Sequence, residues 1–246
     1  MLGLFKYWNV IEYFFPYKYL TDQKWDSVLL EMISKFRDAS NKMDYQLAIK
    51  ELVAKIDDSH AYINLKNDHY NSLPIKLTNI NDKAVVSGFY NDSLAQINGF
   101  KVGDVIVKIN ELDVTKETEQ NLKFMTGSNL NGKRVRSYYK VLSGKETTVE
   151  LTIERDNNLK QIKVNRYPFK DFNYEKQPAK TVFLDESIGY IDMETFNRQE
   201  VPETFKAFST KKAIIIDLRN YPNFIYNIIT KRLNSKRSDF VKMYSP

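Results

Sequence analysis

The spacing of apolar residues changes period near Leu73, and that change constrains the chain to an α+β, multidomain fold. Upstream, apolar residues recur every three or four positions. Leu2, Phe5, Trp8 and Ile11 mark a first helix, broken by Pro16. Trp25, Val28, Leu29, Met32, Ile33 and Phe36 form the stripe of a second, with Thr21 or Asp22 as its expected cap. Tyr45, Ala48, Ile49, Leu52, Val53 and Ile56 predict a third from about Met43 to Ile56. Downstream, the texture becomes short β-like runs divided by Asn, Asp and Gly: PIKLTNIND, KAVVSGFY, GDVIVKIN, RVRSYYKVL and TTVELTIERD. Asp156-Asn157-Asn158 reads as a hairpin turn, because Asp and Asn tolerate left-handed backbone.

A third texture follows the polar linker PFKDFNYEKQPAK. SIGYIDM reads as a strand, ETFNRQEVPETFKAFST as a helix and KAIIIDL as a fully buried strand, which together predict a βαβ unit of a parallel sheet. Asp217 and Arg219 fall at the carboxyl end of the second strand, where loops of such sheets carry function. The organisation expected is a helical segment over 1–70, a β domain over 71–170 and an α/β portion over 171–246. The chain opens directly into structured sequence and stops at Tyr244-Ser245-Pro246, which reads as a piece of a longer protein.

Composition removes several classes of function. There is no cysteine, so disulfides, thiolate nucleophiles and cysteine-ligated zinc are excluded. The two histidines, His60 and His69, fit no HExxH pattern, and no metal site or organic cofactor is expected. The net charge of +6 is a modest lysine excess spread among charges of both signs, and the basic run KRLNSKRSDFVK lacks interleaved aromatics, so nucleic acid is not an expected partner. The apolar start is interrupted by Lys6, Glu12 and Lys18 and lacks a cleavage site, and no run of about 18 apolar residues appears. Neither a signal peptide nor stable membrane insertion is expected from these residues.

Two stretches carry chemistry. The segment NDSLAQINGFKVGDVIVKINELDV, Asn91 to Val114, has a short helix closed at Asn98-Gly99, a tight turn at Gly103-Asp104 and a strand. It resembles a PDZ domain of the type attached to bacterial proteases, with Phe100 where Leu is usual and Glu111 where Gly is. The resemblance implies binding of an extended peptide at a sheet edge. Leu73, Pro74 and Ile75 are the residues expected near its peptide-binding loop. The second stretch is IDDSHAYI, Ile56 to Ile63. His60 has the side chain suited to a general base and needs an orienting partner. Ser59 is poorly placed as its nucleophile, since adjacent side chains diverge.

The helical segment ending in Asp-Ser-His-Ala-Tyr, the PDZ-like domain, the IGYI strand and the IIIDLRN strand together resemble the tricorn-like C-terminal processing serine peptidases, family S41. The likeness spans essentially the whole chain and implies a truncated α/β core of crotonase-like type at its end. It also implies serine-endopeptidase chemistry through an acyl-enzyme, with His60 as general base and Ser59 as a supporting member of a Ser-His-Ser-Glu tetrad. The nucleophilic serine and the glutamate are absent: Ser235, Ser238 and Ser245 follow no buried strand, so this chain is expected to be inactive alone. The resemblance implies a glycine-bearing loop after the DxR strand with an oxyanion donor, whereas this one reads DLRNYPNFI without glycine; the donor is then Asn223, the named candidate, or Phe224, or has been lost. The implied partner is a peptide or unfolded protein, and the implied location is the periplasm or cell envelope of a bacterium. A noncatalytic PDZ-like peptide-binding protein is the alternative.

Overall fold

Helix boundaries in the first segment follow local chemistry at one end and tertiary contacts at the other. In this computed structural model, which describes residues 1–63, 71–172, 182–183, 187–234 and 236, helix α1 (Leu2–Phe14) stops two residues before Pro16. Helix α2 (Trp25–Arg37) has no side-chain cap. Thr21 Oγ1 instead donates to the carbonyls of Lys18 and Gln23, and Asp22 gives its N–H to Asp57, so neither expected residue caps it. Helix α3 (Lys42–Ala54) starts at Asn41, whose side-chain oxygen accepts the Asp44 N–H at 3.0 Å. Leu4, Val28, Met32, Phe36 and Leu52 lie in the core that the three helices share. Trp8 and Trp25 tie α1 to α2 reciprocally: each indole N–H donates to the other residue's carbonyl at 3.0 Å.

The β portion is a single antiparallel sheet. Strands β1 (Ile75–Ile80) and β2 (Lys83–Phe89) form a hairpin through Asn81 and Asp82, both left-handed with φ of 49° and 61°. Helix α4 (Asp92–Ile97) is capped by Asn91 and closes at Gly99, φ 73°. Next come β3 (Val105–Ile109), β4 (Leu112–Asp113), α5 (Val114–Asn121), α6 (Leu130–Leu142), β5 (Thr148–Arg155) and β6 (Asn158–Asn165). The order is β1-β2-β3-β5-β6, with β4 on β3. Asp156 and Asn157 are both left-handed and turn β5 into β6, as their chemistry predicts. At the Gly103-Asp104 turn, Gly103 has φ 94° and the buried Asp104 carboxylate takes Arg155 Nε at 2.6 Å and Nη2 at 2.7 Å. Asn110, φ 50°, supplies the left-handed residue of the next turn, so Glu111 need not.

One segment differs from expectation. RVRSYYKVL, Arg134 to Leu142, is helix rather than strand. Val135, Tyr138, Tyr139 and Val141 favour strands by propensity. The Asn129 cap, which accepts the Gly132 N–H at 2.8 Å, and burial of Ser137, Tyr138 and Leu142 at helical spacing override it.

The chain divides into two compact units, Met1–Asn173 and Tyr174–Pro246. In the second, β7 (Val182–Phe183) pairs with β8 (Ile188–Asp192), and β8 runs parallel to β9 (Ala213–Asp217) with α7 (Val201–Ala207) between them in the chain. This is the βαβ unit read from the sequence, but β9 is not the fully buried strand expected: Ala213 and Ile215 are exposed and Ile214 and Ile216 half-buried, because α7 and α8 supply the apolar contacts of only one face among the described residues. A capping box of Asn197 and Glu200 opens the helical stretch leading into α7, and α8 (Tyr226–Leu233) follows β9. Ile191, Met193, Phe196, Val201, Phe208, Ile225 and Ile229 make its core. Gly189 is required by packing, since a Cβ there would lie 2.6 Å from the Phe208 ring. Linker residues 173–180, His69, and Ser235, Ser238 and Ser245 lie outside the described residues. Among the described residues, no helix is long and apolar enough to cross a membrane. The fold is α+β, as the change of period predicts.

Candidate functional site

The Ser59-His60 loop is held by the residues just before it. Asp57 adopts left-handed backbone, φ 55°, past the end of α3; its carboxylate accepts the Asp22 N–H at 3.0 Å and pairs with Lys133 of α6. Asp58 then turns its carboxylate forward. Its Oδ1 accepts the backbone N–H of His60 at 2.7 Å and lies 3.0 Å from His60 Nδ1. These two bonds from His60, the backbone one foremost, hold the Asp58 carboxyl below its usual range. An ionised Asp58 accepts from Nδ1–H, so the tautomer it favours leaves the Nε2 lone pair for an external proton. The ring is 92% exposed. Ser59 contributes its carbonyl, which accepts Arg136 Nη2 at 3.0 Å, while its hydroxyl bonds to nothing among the described residues.

The expected peptide-binding residues are differently placed. Leu73, Pro74 and Ile75 are buried, with Leu73 and Ile75 in the core of the sheet domain, so they present no side chain to a ligand. The Pro74 carbonyl accepts the Tyr90 N–H at 3.0 Å within the hairpin. The amide of Leu77 on β1, an end strand of the sheet, donates to the Tyr139 hydroxyl at 2.9 Å, and the Tyr90 hydroxyl donates to the same oxygen at 3.1 Å. Helix α6 thus occupies a backbone position that an added peptide strand would use.

In the second unit, Asp217 and Arg219 pair with each other: Arg219 Nε lies 3.0 Å from both carboxylate oxygens and Nη2 lies 2.6 Å from Oδ2. The Tyr190 hydroxyl also donates to Oδ2. The Arg219 bonds first, and the Tyr190 bond second, hold Asp217 far below the ordinary carboxylate range, so it is a fixed anion rather than a proton carrier. Asn223 differs from its expected role as an open oxyanion donor. Its N–H donates to the Met193 carbonyl at 2.7 Å, and its side-chain amide to the Phe196 carbonyl at 3.1 Å. Its loop has folded onto its own unit, and both donors are engaged there. His60 and Ser59 share a loop, whereas Asn223 belongs to the other unit.

Sequence reading missed Asp58, Arg136 and Tyr139. The Asp58 signal was local, since an Asp two residues before a loop histidine makes an Asx turn onto its N–H. Arg136 and Tyr139 were hidden by the strand assignment of α6.

A helical segment carrying an Asp-Ser-His loop, an antiparallel sheet domain and a βαβ unit make up an α+β fold that is found in a known protease-related structure only as a likeness of fold. The solved structure of mature CPAF has that fold in common with this chain: TM-score 0.57 at 14% identity, over 88% of this chain and 54% of that one. The photosystem II D1 C-terminal processing protease gives 0.39 at 16% identity, over 85% of this chain and 57% of that one. The PDZ domain of EpsC from Vibrio cholerae gives 0.25 at 21% identity, over 50% of this chain and 96% of that one. The chain spans a little over half the length of the first two of these structures. No family model matches the sequence, and no curated protein matches it.

Proposed function

We propose that residues 1–246 are the base-bearing part of a tricorn-like S41 serine endopeptidase acting on peptide or unfolded protein. The observation that carries this is the Asp58 carboxylate on His60 Nδ1 with Nε2 turned outward, in a chain with this fold. A serine from sequence outside residues 1–246 attacks the scissile carbonyl while His60 Nε2 takes its proton. Asp58 stabilises the imidazolium, which returns the proton to the leaving amine. Water then attacks the acyl-enzyme carbonyl, giving its proton to Nε2; as the ester C–O bond breaks, the imidazolium returns that proton to the serine oxygen and the acid is released. Ser59 shapes the loop through its carbonyl. None of these steps uses a metal or organic cofactor. The corresponding location is the periplasm or envelope of a bacterium.

The test is fluorophosphonate labelling of the complete encoded protein, expected at one serine and absent from residues 1–246 alone. His60→Ala should abolish turnover without unfolding the protein. Retained turnover, or no serine labelled, overturns the reading. A noncatalytic peptide-binding protein is favoured by one observation, the engagement of the Asn223 N–H by Met193 in a glycine-free loop. It requires peptide binding with no labelling.

A further inference from the structure

The two ends of the antiparallel sheet are finished differently. At one end Tyr139 of α6 takes the Leu77 amide of β1. At the other, β6 pairs with β5 alone, in unbroken register from Asn158 to Asn165. Two bonds fix which way its backbone faces. The Arg166 N–H turns inward to the Thr147 carbonyl at 2.7 Å, whereas the Asn165 N–H turns outward to Asn98 Oδ1 at 2.7 Å. In an antiparallel pair alternate residues point both backbone groups away from the partner, so Leu159, Gln161 and Lys163 face outward as Asn165 does. None of these three amides has a partner among the described residues. Asn98 closes the row at Asn165, and the left-handed Asp156-Asn157 turn closes the other end. The open stretch between them is about 14 Å long.

The side chains along this edge decide what can add to it. Leu159, Lys160, Gln161 and Lys163 are exposed, and neither lysine pairs with a carboxylate among the described residues. The strand reads NLKQIKVN, with two cations and no carboxylate. Pairing with a second copy of β6 would therefore set like charges across the new ladder, which is how edge lysines discourage self-association. An acidic strand meets the same lysines as opposite charges. Lys160 and Lys163 are three residues apart and point to opposite faces, so a complementary antiparallel segment needs carboxylates three apart, one on each face. Glu150 stands opposite Lys163 on β5 and is one strand farther away, about 10 Å from an added side chain and near the screening length.

We propose that β6 is a docking edge for an extended acidic segment of a partner protein, added antiparallel along Leu159 to Lys163 with its carboxylates on Lys160 and Lys163. Backbone bonds supply the affinity and the two lysines the selection. No free chain end takes part, so an internal segment of the partner serves. The edge lies at the opposite end of the sheet from β1, and the inference does not depend on the peptidase reading.

The experiment is an NMR titration of the 246-residue chain in low salt with acetyl-Thr-Glu-Val-Thr-Glu-Val-Thr-amide, blocked at both ends, and with the same peptide carrying Gln for each Glu. The acidic peptide should slow hydrogen exchange at Leu159, Gln161 and Lys163 and leave Leu77 unchanged. It should bind about fivefold or more tightly than the Gln peptide, and that preference should shrink in about 0.5 M salt. Lys160→Glu combined with Lys163→Glu changes only exposed side chains, and should transfer the preference to a peptide with Lys in place of Glu. No binding at millimolar concentration, equal binding of the acidic and Gln peptides, or protection at Leu77 instead of β6 overturns the proposal. Protection of the three amides that rises with protein concentration in the absence of peptide gives the edge to a second copy, and overturns it as well.

Discussion

The Leu77 amide donates to the Tyr139 hydroxyl at 2.9 Å, so the protein's own helix α6 satisfies a backbone donor on the outer edge of β1. An unpaired edge donor is what strand addition requires, and here it is already used. Tyr139→Phe keeps the ring and deletes the acceptor that the Leu77 N–H uses, together with its bond from the Tyr90 hydroxyl. The expected outcome is a loss of about 1 kcal/mol in urea unfolding and faster hydrogen exchange at the Leu77 amide. Unchanged exchange there would show that the hydroxyl does not close the edge.

Acid sensitivity should centre on Glu31. Burial alone would raise its pKa, but hydrogen bonds from Lys55, Lys35 and Gln23 outweigh that and bring it down to about 2. A carboxyl whose folded pKa is depressed contributes stability that is complete above its unfolded value, about 4.3, and is lost as pH falls through the folded value. Glu31→Gln should therefore lower the melting temperature at neutral pH. The gap between variant and parent should close as pH falls from about 4 towards 2. A gap that is constant over that range would assign the effect to packing rather than to charge.

What could be read from the sequence was what local physics decides. The helical stripes of α2 and α3 and the Asp156-Asn157 turn are set within a few residues, and both are found as expected. AIIID is not buried as its continuous apolar run predicts, with Ile215 exposed and Ile214 and Ile216 half-buried, but the β8–α7–β9 unit was legible from the order strand, helix, apolar strand. Helix α6 was not, since its strand-forming residues are overruled by the Asn129 cap and by the core that receives Tyr138 and Leu142. In the site, His60 stood out by its motif, and Asp58 was within reach of a local rule. The engagement of Asn223 by Met193 joins residues 30 apart in the chain, and no local pattern encodes it.

Gly189 tests the packing of the second unit. A methyl group at this position would lie 2.6 to 2.8 Å from three ring carbons of Phe208, which is itself buried in the core. Gly189→Ala must therefore displace the ring, at a cost of about 1–3 kcal/mol as for other overpacked sites. Gly189→Ala combined with Phe208→Leu should cost less than the sum of the two single changes, because the smaller side chain makes room for the methyl. Strict additivity in denaturant unfolding would mean that the two positions are not in contact.

Asp58 is the decisive position for the peptidase reading, because its proposed role differs from that of a structural residue. Asp58→Asn retains the shape and can still accept the His60 N–H, but it removes the charge that favours Nδ1–H and would stabilise an imidazolium. In the complete protein, turnover should fall by about 10²-fold or more while KM changes little, since the loss is confined to the transition state. The melting temperature should barely move, because the pair lies in an exposed loop. The Nδ1–H tautomer of His60 should also lose its preference in the variant, as the carboxylate acceptor is gone, and the NMR shifts of the ring nitrogens measure this directly. Full turnover with a changed tautomer balance would show that Asp58 touches the imidazole without serving it.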